Sequence, residues 1–196
     1  MIFLNHVVCS LIVFWSYYRQ GYYTLWSWLS AVRSFFREKR KLSADVLTVS
    51  AYGIPVGTLM ASIDNGWLPV DDAFPVEMAA LRKHHPGKFA YFGKFAVAHQ
   101  GSIRKTGFRL VKKAATEWSL DREVEVAIMM VNPRHVPFYR RFGASEVARS
   151  EQVHGLEKAP AVLMIVRYNE SPHIRGWQRE YLQSSTKINI RETYST

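Results

Sequence analysis

The sequence predicts an α/β domain with a mixed central sheet, and three features indicate this class. Two β-rich runs, 46–52 and 55–63, are joined through Gly53 and predict an antiparallel hairpin. Further along, an apolar strand, a basic helix and a second apolar strand follow one another, which predicts a parallel pair formed by a right-handed crossover. The 196 residues, 48% of them hydrophobic and 21% charged, fit a single domain with one core.

The chain before the hairpin, residues 1–45, predicts an aromatic, helical segment. Within it, 18–40 has apolar residues at helical spacing and ends in basic residues. The apolar stretch Ile2 to Tyr18 is interrupted by polar residues and is shorter than the ~20 that a bilayer span needs. No basic region precedes it, so we do not expect a signal peptide. The basic residues that follow it leave peripheral contact with a membrane surface open.

Helices and strands alternate after the hairpin. They are a helix over 74–84, a strand over 89–98, a helix over 104–118, a strand over 124–131, a short helix from 132 to 141, and strands around 144–153 and 161–168. The first helix should turn Met78 and Leu81 inward. The strand 124–131 is nearly continuous in apolar character, as a buried parallel strand is. Gly143 should end the short helix.

The charge of the chain is strongly basic, with a formal net charge of +10. Such a surface attracts nucleic acid, an anionic membrane or an acidic protein, and charge alone does not choose between these and a merely solvated surface. Because no helix-turn-helix, zinc or RRM signature is present, we expect no nucleic-acid partner. The single cysteine, Cys9, allows no internal disulfide and fits a reducing cytoplasm. The histidines show no ligand spacing, so we expect no metal.

Several short motifs then follow one another along the chain, in an order that is known from one family of proteins. They are Pro55-Val-Gly-Thr-Leu, Gly66-Trp-Leu-Pro, Glu77 through Arg82, Lys94-Phe-Ala-Val, Asn132-Pro-Arg-His with Phe138-Tyr139, and Ala159-Pro-Ala-Val-Leu. Together they resemble the GNAT acyltransferase superfamily, and within it the long-chain N-acyl amino acid synthases of the FeeM type, relatives of the acyl-homoserine-lactone synthases. The resemblance covers 46–168. It implies a GNAT-like α/β fold with helices on both faces of the mixed sheet, and it leaves 169–196 as a C-terminal tail of a single domain.

The reaction that the resemblance implies is attack of an amine on a thioester carbonyl. A tetrahedral oxyanion forms and a thiolate leaves, so the site must position two substrates and protonate the sulfur. Tyr139 matches the tyrosine that serves as this acid, with core packing as its alternative role. Glu77 matches a family glutamate, with an exposed helix-turn acid as the alternative. Lys94 is expected near the site mouth, where it either steers a carboxylate or phosphate or lines the sheet end.

Five further residues are candidates for substrate binding: Asn132, Arg134, His135, Tyr91 and Phe92. Asn132 can also cap the short helix with its side chain, and that structural role is the one we favour. Tyr91 departs from the family, which usually has a glutamate here to accept the amine proton. Another group or water then takes the proton, or the chain is slow or inactive. His99 and His135 are the remaining groups that titrate near neutral pH.

The acyl donor is expected at the start of the helix over 104–118. GNAT enzymes hold the coenzyme A pyrophosphate there with a glycine-rich turn whose backbone N–H groups point at the phosphates. This chain offers Arg104-Lys105-Thr-Gly107-Phe-Arg109, where Arg109 replaces the second small residue. With Lys112 nearby, this set suits the single phosphate of a phosphopantetheine arm on an acidic acyl carrier protein.

The sequence therefore predicts an N-acyltransferase that joins a long acyl chain, delivered by acyl carrier protein, to the amino group of an amino acid. The aromatic N-terminal segment would wall the acyl tunnel, and no cofactor is held permanently. An acetyl-coenzyme A-dependent GNAT enzyme is the alternative donor chemistry. A catalytically inactive GNAT-like protein that binds a lipid or a partner is the alternative of a different class.

Overall fold

A computed structural model describes residues 11–15, 18, 33, 36–38, 40–51, 54–85, 87–98, 101–151 and 160–168. Its six strands form a mixed sheet in the order β1-β2-β3-β4-β6-β5. They are β1 Asp45–Ala51, β2 Ile54–Ile63, β3 Phe89–Val97, β4 Val126–Val131, β5 Ser145–Ser150 and β6 Ala161–Arg167. The helices are α1 Pro75–His84, α2 Gly101–Asp121 and α3 Val136–Arg140, with 3₁₀ turns at Pro69–Asp72 and Pro133–His135. The predicted α/β class and mixed sheet are confirmed.

The described chain divides into two compact units. One contains the residues up to Ser62 together with Gly93–Trp118, and the other contains Ile63–Phe92 and the described residues from Ser119 onward. Both β3 and α2 therefore contribute residues to both units. Within the described ranges, no helix is long and apolar enough to cross a bilayer.

The first unit is built on the predicted hairpin, in which β1 pairs antiparallel with β2. Helix α2 lies against this hairpin at very short range. A Cβ placed on Gly107 would lie 2.6 Å from the carbonyl oxygen of Val56, and a Cβ placed on Gly57 would lie 2.6 Å from a methyl group of Val111. The indole N–H of Trp118 donates to Asp45 over 2.7 Å. Glycines at both contact points thus let the helix approach the strand backbone.

The second unit contains the parallel pair that the strand–helix–strand pattern predicts. Strands β3 and β4 pair in parallel, with Phe89 opposite Val126 and Tyr91 opposite Ile128. Strand β6 pairs antiparallel with both β4 and β5. It is buried from Ala161 to Val166, whereas β5, at the sheet edge, alternates between exposed and half-buried residues. Met78 and Leu81 of α1 are buried, as predicted.

Several predictions fall on residues outside the described ranges. These are most of the helical segment 18–40, the turn at Gly53, His99, the end of the strand predicted over 144–153, and the tail 169–196. The described N-terminal residues 11–15, 36–38 and 40–42 are helical. The division into a segment 1–45, a core 46–168 and a tail stays a prediction.

Candidate active site

The donor candidates lie on α2, and one part of their prediction is wrong. Helix α2 begins at Gly101, so Arg104 to Arg109 are helical and do not form a phosphate loop. The N–H groups from Lys105 onward belong to the helix interior and donate to its own carbonyls. Gly107 is buried against Val56 and serves packing. The apolar stripe predicts a helix start at Arg104, but the helix begins three residues earlier, and those three residues do not extend the stripe.

The basic side chains of α2 nevertheless form a surface. Lys105, Arg109 and Lys112 follow one another at i, i+4 and i+7, which places them on one side of the helix. Lys105 and Arg109 are exposed, as is Arg104, and Lys112 is half-buried. We call Lys105, Arg109 and Lys112 the basic stripe. It presents three positive charges along about two turns of helix, and its role in donor binding stays a prediction.

Lys94 lies within β3 and has a charged partner that no local sequence pattern indicates. Its Nζ lies 2.9 Å from Oε2 of Glu38, in the helical run that precedes β1. Both side chains are partly buried, 16% and 18% exposed. The backbone of Lys94 has φ 51°, in the left-handed region that L-residues seldom occupy inside a strand. The two expected roles, steering an anion and lining the sheet, both stay predictions.

The short helix candidates lie in the second unit, where Asn132 acts as predicted. Its Oδ1 accepts the backbone N–H of Arg134 over 2.9 Å and so caps the 3₁₀ turn. The favoured structural role of Asn132 is confirmed. Arg134 and His135 are exposed on this turn. The turn runs directly into α3, which carries Tyr139.

Tyr139 is half-buried on α3, next to a cluster of aromatic rings. Its ring meets that of Phe138 edge to face, with centroids 5.2 Å apart, and Phe138 also meets Phe142. The carbonyl of Tyr139 accepts N–H groups from Phe142 and Ala144, which close the helix. This packing fixes the backbone of Tyr139, and its role as an acid stays a prediction.

The remaining candidates are Glu77, Tyr91 and Phe92. Glu77 lies in the first turn of α1, where the helix dipole stabilises a carboxylate. Its side chain is half-buried. Tyr91 is 5% exposed, and Phe92 is half-buried. Burial of Tyr91 indicates a packing role at the position where the resemblance expects a glutamate, and any substrate contact by these three residues stays a prediction.

One arginine and two aspartates form a cluster that the sequence patterns do not indicate. Arg82 of α1 binds Asp64 and Asp71 with two hydrogen bonds each, at 2.6–3.1 Å. Asp64 also accepts the N–H of Gly66, and Asp71 that of Leu68. Its hydrogen bonds to the carboxylates of Asp71 and Asp64 raise the pKa of Arg82. The cluster ties the loop 64–72 to α1. Proline and two aspartates at 69–72 are the one local signal for the 3₁₀ turn within that loop.

Across the described part of the chain, His, Cys, Asp and Glu side chains form no group that could hold a metal ion. The family model of the N-acyl amino acid synthase FeeM matches residues 10–167. The chain belongs to this family. The match starts well before residue 46, where the first recognisable motifs of the sequence begin, and so includes much of the aromatic N-terminal segment. The chain is therefore an acyltransferase of the N-acyltransferase type.

Solved structures agree with this fold. The structure of FeeM, an N-acyl amino acid synthase from uncultured soil microbes, is 21% identical, and the alignment covers 88% of this chain and 92% of that one, with a TM-score of 0.71. Aminoglycoside 6'-acetyltransferase type Ii is 12% identical, covering 83% and 88%, with a TM-score of 0.52. The acyl-homoserine-lactone (AHL) synthase LasI is 16% identical, covering 65% and 66%, with a TM-score of 0.51. No curated protein sequence matched the chain. The GNAT-like fold predicted from the motifs is confirmed.

Proposed function

We propose that this protein is an N-acyl amino acid synthase that takes a long acyl chain from acyl carrier protein and joins it to the amino group of an amino acid. The observation that carries this proposal is the family match over 10–167. The basic stripe on α2 supports the choice of donor, because acyl carrier protein is acidic and presents a single phosphate. We place the reaction in the cytoplasm, as one step of lipid biosynthesis.

The chemical step needs little from the protein beyond positioning and proton transfer. The amine nitrogen attacks the thioester carbon, the C–S bond breaks, and the amide forms as the amine loses its proton to water, since Tyr91 stands where the family has a glutamate. Tyr139 is the proposed acid that gives a proton to the leaving thiolate of the phosphopantetheine arm. A phenol suits this role because it is protonated at neutral pH and has one O–H to donate.

The long acyl chain is proposed to lie along the aromatic N-terminal segment. Burial of each CH₂ group contributes about 0.8 kcal/mol, so an apolar tunnel discriminates strongly between chain lengths. Three described aromatic residues of this segment already pack on one another: the rings of Phe14, Trp15 and Tyr18 lie with centroids 5.6–6.1 Å apart.

The donor is tested by charge reversal on the basic stripe. Initial rates are measured with acyl carrier protein thioesters, coenzyme A thioesters and a pantetheine thioester mimic, at low and high salt. Arg109→Glu should raise KM for the carrier protein far more than KM for the mimic. Because the Debye length falls from about 10 Å at 0.1 M salt to about 3 Å at 1 M, added salt should weaken carrier docking in the wild type.

The matched control is Lys83→Glu, the same change of charge at an exposed position of α1. It should leave KM for the carrier protein near the wild-type value. If coenzyme A thioesters outperform carrier-protein thioesters at every salt concentration, the donor is coenzyme A and the proposed partner is wrong.

A further inference from the structure

The ion pair between Glu38 and Lys94 joins two partly buried charges of the first unit. The Nζ and Oε2 atoms are 2.9 Å apart, and each side chain keeps a small exposed fraction. Partial burial strengthens the attraction relative to a surface pair, because water screens it less. Both side chains also keep some contact with solvent.

The backbone at Lys94 is unusual for its location. Of the described non-glycine residues, Ser43, Lys94 and Glu123 have positive φ, and the other two stand in turns where this conformation is common. Lys94 stands inside strand β3. Left-handed residues within regular elements persist only where surrounding contacts hold them, and they concentrate at ligand-binding positions. The conformation therefore directs attention to the Lys94 side chain and to its partner Glu38.

A free α-amino acid carries a carboxylate and an ammonium group on the same carbon. We propose that Glu38 and Lys94 bind the acceptor amino acid, with Lys94 taking its carboxylate and Glu38 its ammonium group, and that the ion pair opens as the amino acid enters. Each protein charge exchanges one opposite charge for another, so none is left unpaired at a half-buried position. This inference rests on the proposed function, because it assigns recognition of the acceptor that the function requires.

The proposal predicts which acceptors bind. An amine without the carboxylate would break the pair without replacing the negative charge that Glu38 places beside Lys94, and an amino acid methyl ester would do the same. A purely structural pair, which only ties the N-terminal segment to β3, predicts no such discrimination. The two explanations therefore predict different affinities for amino acids and for their decarboxylated amines. These affinities can be measured without an acyl donor.

The experiment measures equilibrium binding of the common L-amino acids by ligand-observed NMR, with the full-length protein. The tightest ligand is then compared with its decarboxylated amine and its methyl ester. Glu38→Gln and Lys94→Met should each weaken its binding about tenfold or more, the range for hydrogen bonds to charged groups. Lys88→Met and Glu123→Gln, which break an exposed ion pair of the other unit, are the controls and should leave the affinity unchanged.

The double variant Glu38→Lys with Lys94→Glu separates recognition from folding. It rebuilds an ion pair of reversed polarity, so it should melt close to the wild type while the amino acid still binds weakly, its charges now oriented wrongly. Wild-type affinity in the double variant or in either single variant would overturn the inference. So would a wild type that binds no amino acid, or that binds the decarboxylated amine equally well. Acyl transfer is assayed separately: binding through the pair without transfer refutes the proposed function alone, and transfer with unchanged affinity in Glu38→Gln refutes this inference alone.

Discussion

Replacing Gly107 by alanine tests whether this glycine is required by packing. The added Cβ would lie 2.6 Å from the carbonyl oxygen of Val56, closer than Cβ atoms approach other atoms. That oxygen already accepts the N–H of Ala98 over 2.8 Å, so the strand cannot shift without loss of a hydrogen bond. The helix must move instead, and it is anchored at its far end by the Trp118–Asp45 hydrogen bond.

Two opposing terms set the size of the effect. Glycine within a helix is about 1 kcal/mol less favourable than alanine, so helix propensity alone predicts a gain in the free energy of unfolding. Overpacking a well-filled contact costs about 1–3 kcal/mol, and a backbone oxygen as the partner places Gly107 at the upper end. The net expectation is a loss of about 1–2 kcal/mol, or roughly 2–8 °C in Tm for a chain of this length.

The assay is urea unfolding followed by circular dichroism, with Thr106→Ala as the control. Thr106 is exposed on the same helix, one residue away, so its replacement changes helix propensity without adding a contact. The control should be neutral or stabilised by about 0.5 kcal/mol. If Gly107→Ala is stabilised to the same degree, the close approach of α2 to β2 does not exist as described.

Three further predictions concern charge, titration and catalysis. Arg82→Met should lower the free energy of unfolding by about 2–3 kcal/mol, because it leaves the carboxylates of Asp64 and Asp71, which are largely shielded from solvent, without the charge of Arg82. The control Lys83→Met should change the free energy of unfolding little in the same urea titration. Burial raises the pKa of Tyr168 to about 12, while the unfolded phenol titrates near 10. The unfolded state therefore loses its proton first, and stability should fall as pH rises from about 10 to about 12; a Tyr168→Phe protein that shows the same alkaline loss contradicts this assignment. Tyr139→Phe should reduce kcat by about 10²–10⁴-fold with little change in Tm, and undiminished turnover would remove Tyr139 from the role of acid.

Local sequence patterns were sufficient for most of the fold. The hairpin, the inward Met78 and Leu81, and the parallel pair follow from periodicities of a few residues, and the cap at Asn132 follows from its place before a proline. The apolar stripe of α2 predicts a start at Arg104, three residues later than the observed start. Glycine and serine before that stripe gave no helical signal, yet they continue the helix to Gly101.

Partners that are distant along the chain could not be predicted in this way. Glu38 is one of several charged residues in a basic segment, and nothing near it in the sequence singles out Lys94. Arg82 likewise binds carboxylates that precede its own helix, and the motif that contains it matched the family without indicating its partners. The sequence therefore indicates which residues are candidates for the site. Only the structure shows which charged side chains pair with one another.

The close contact between Gly57 and Val111 also has an evolutionary consequence. The two positions share a space that holds one side chain, since a Cβ on residue 57 would overlap a methyl group of residue 111 and would also crowd Val49 and Val97. Relatives that carry alanine at the position of Gly57 should carry a smaller residue opposite it, such as alanine in place of valine. Natural variation at these two positions should then be correlated, and a library that randomises both should recover the small–large and large–small combinations while losing the large–large one.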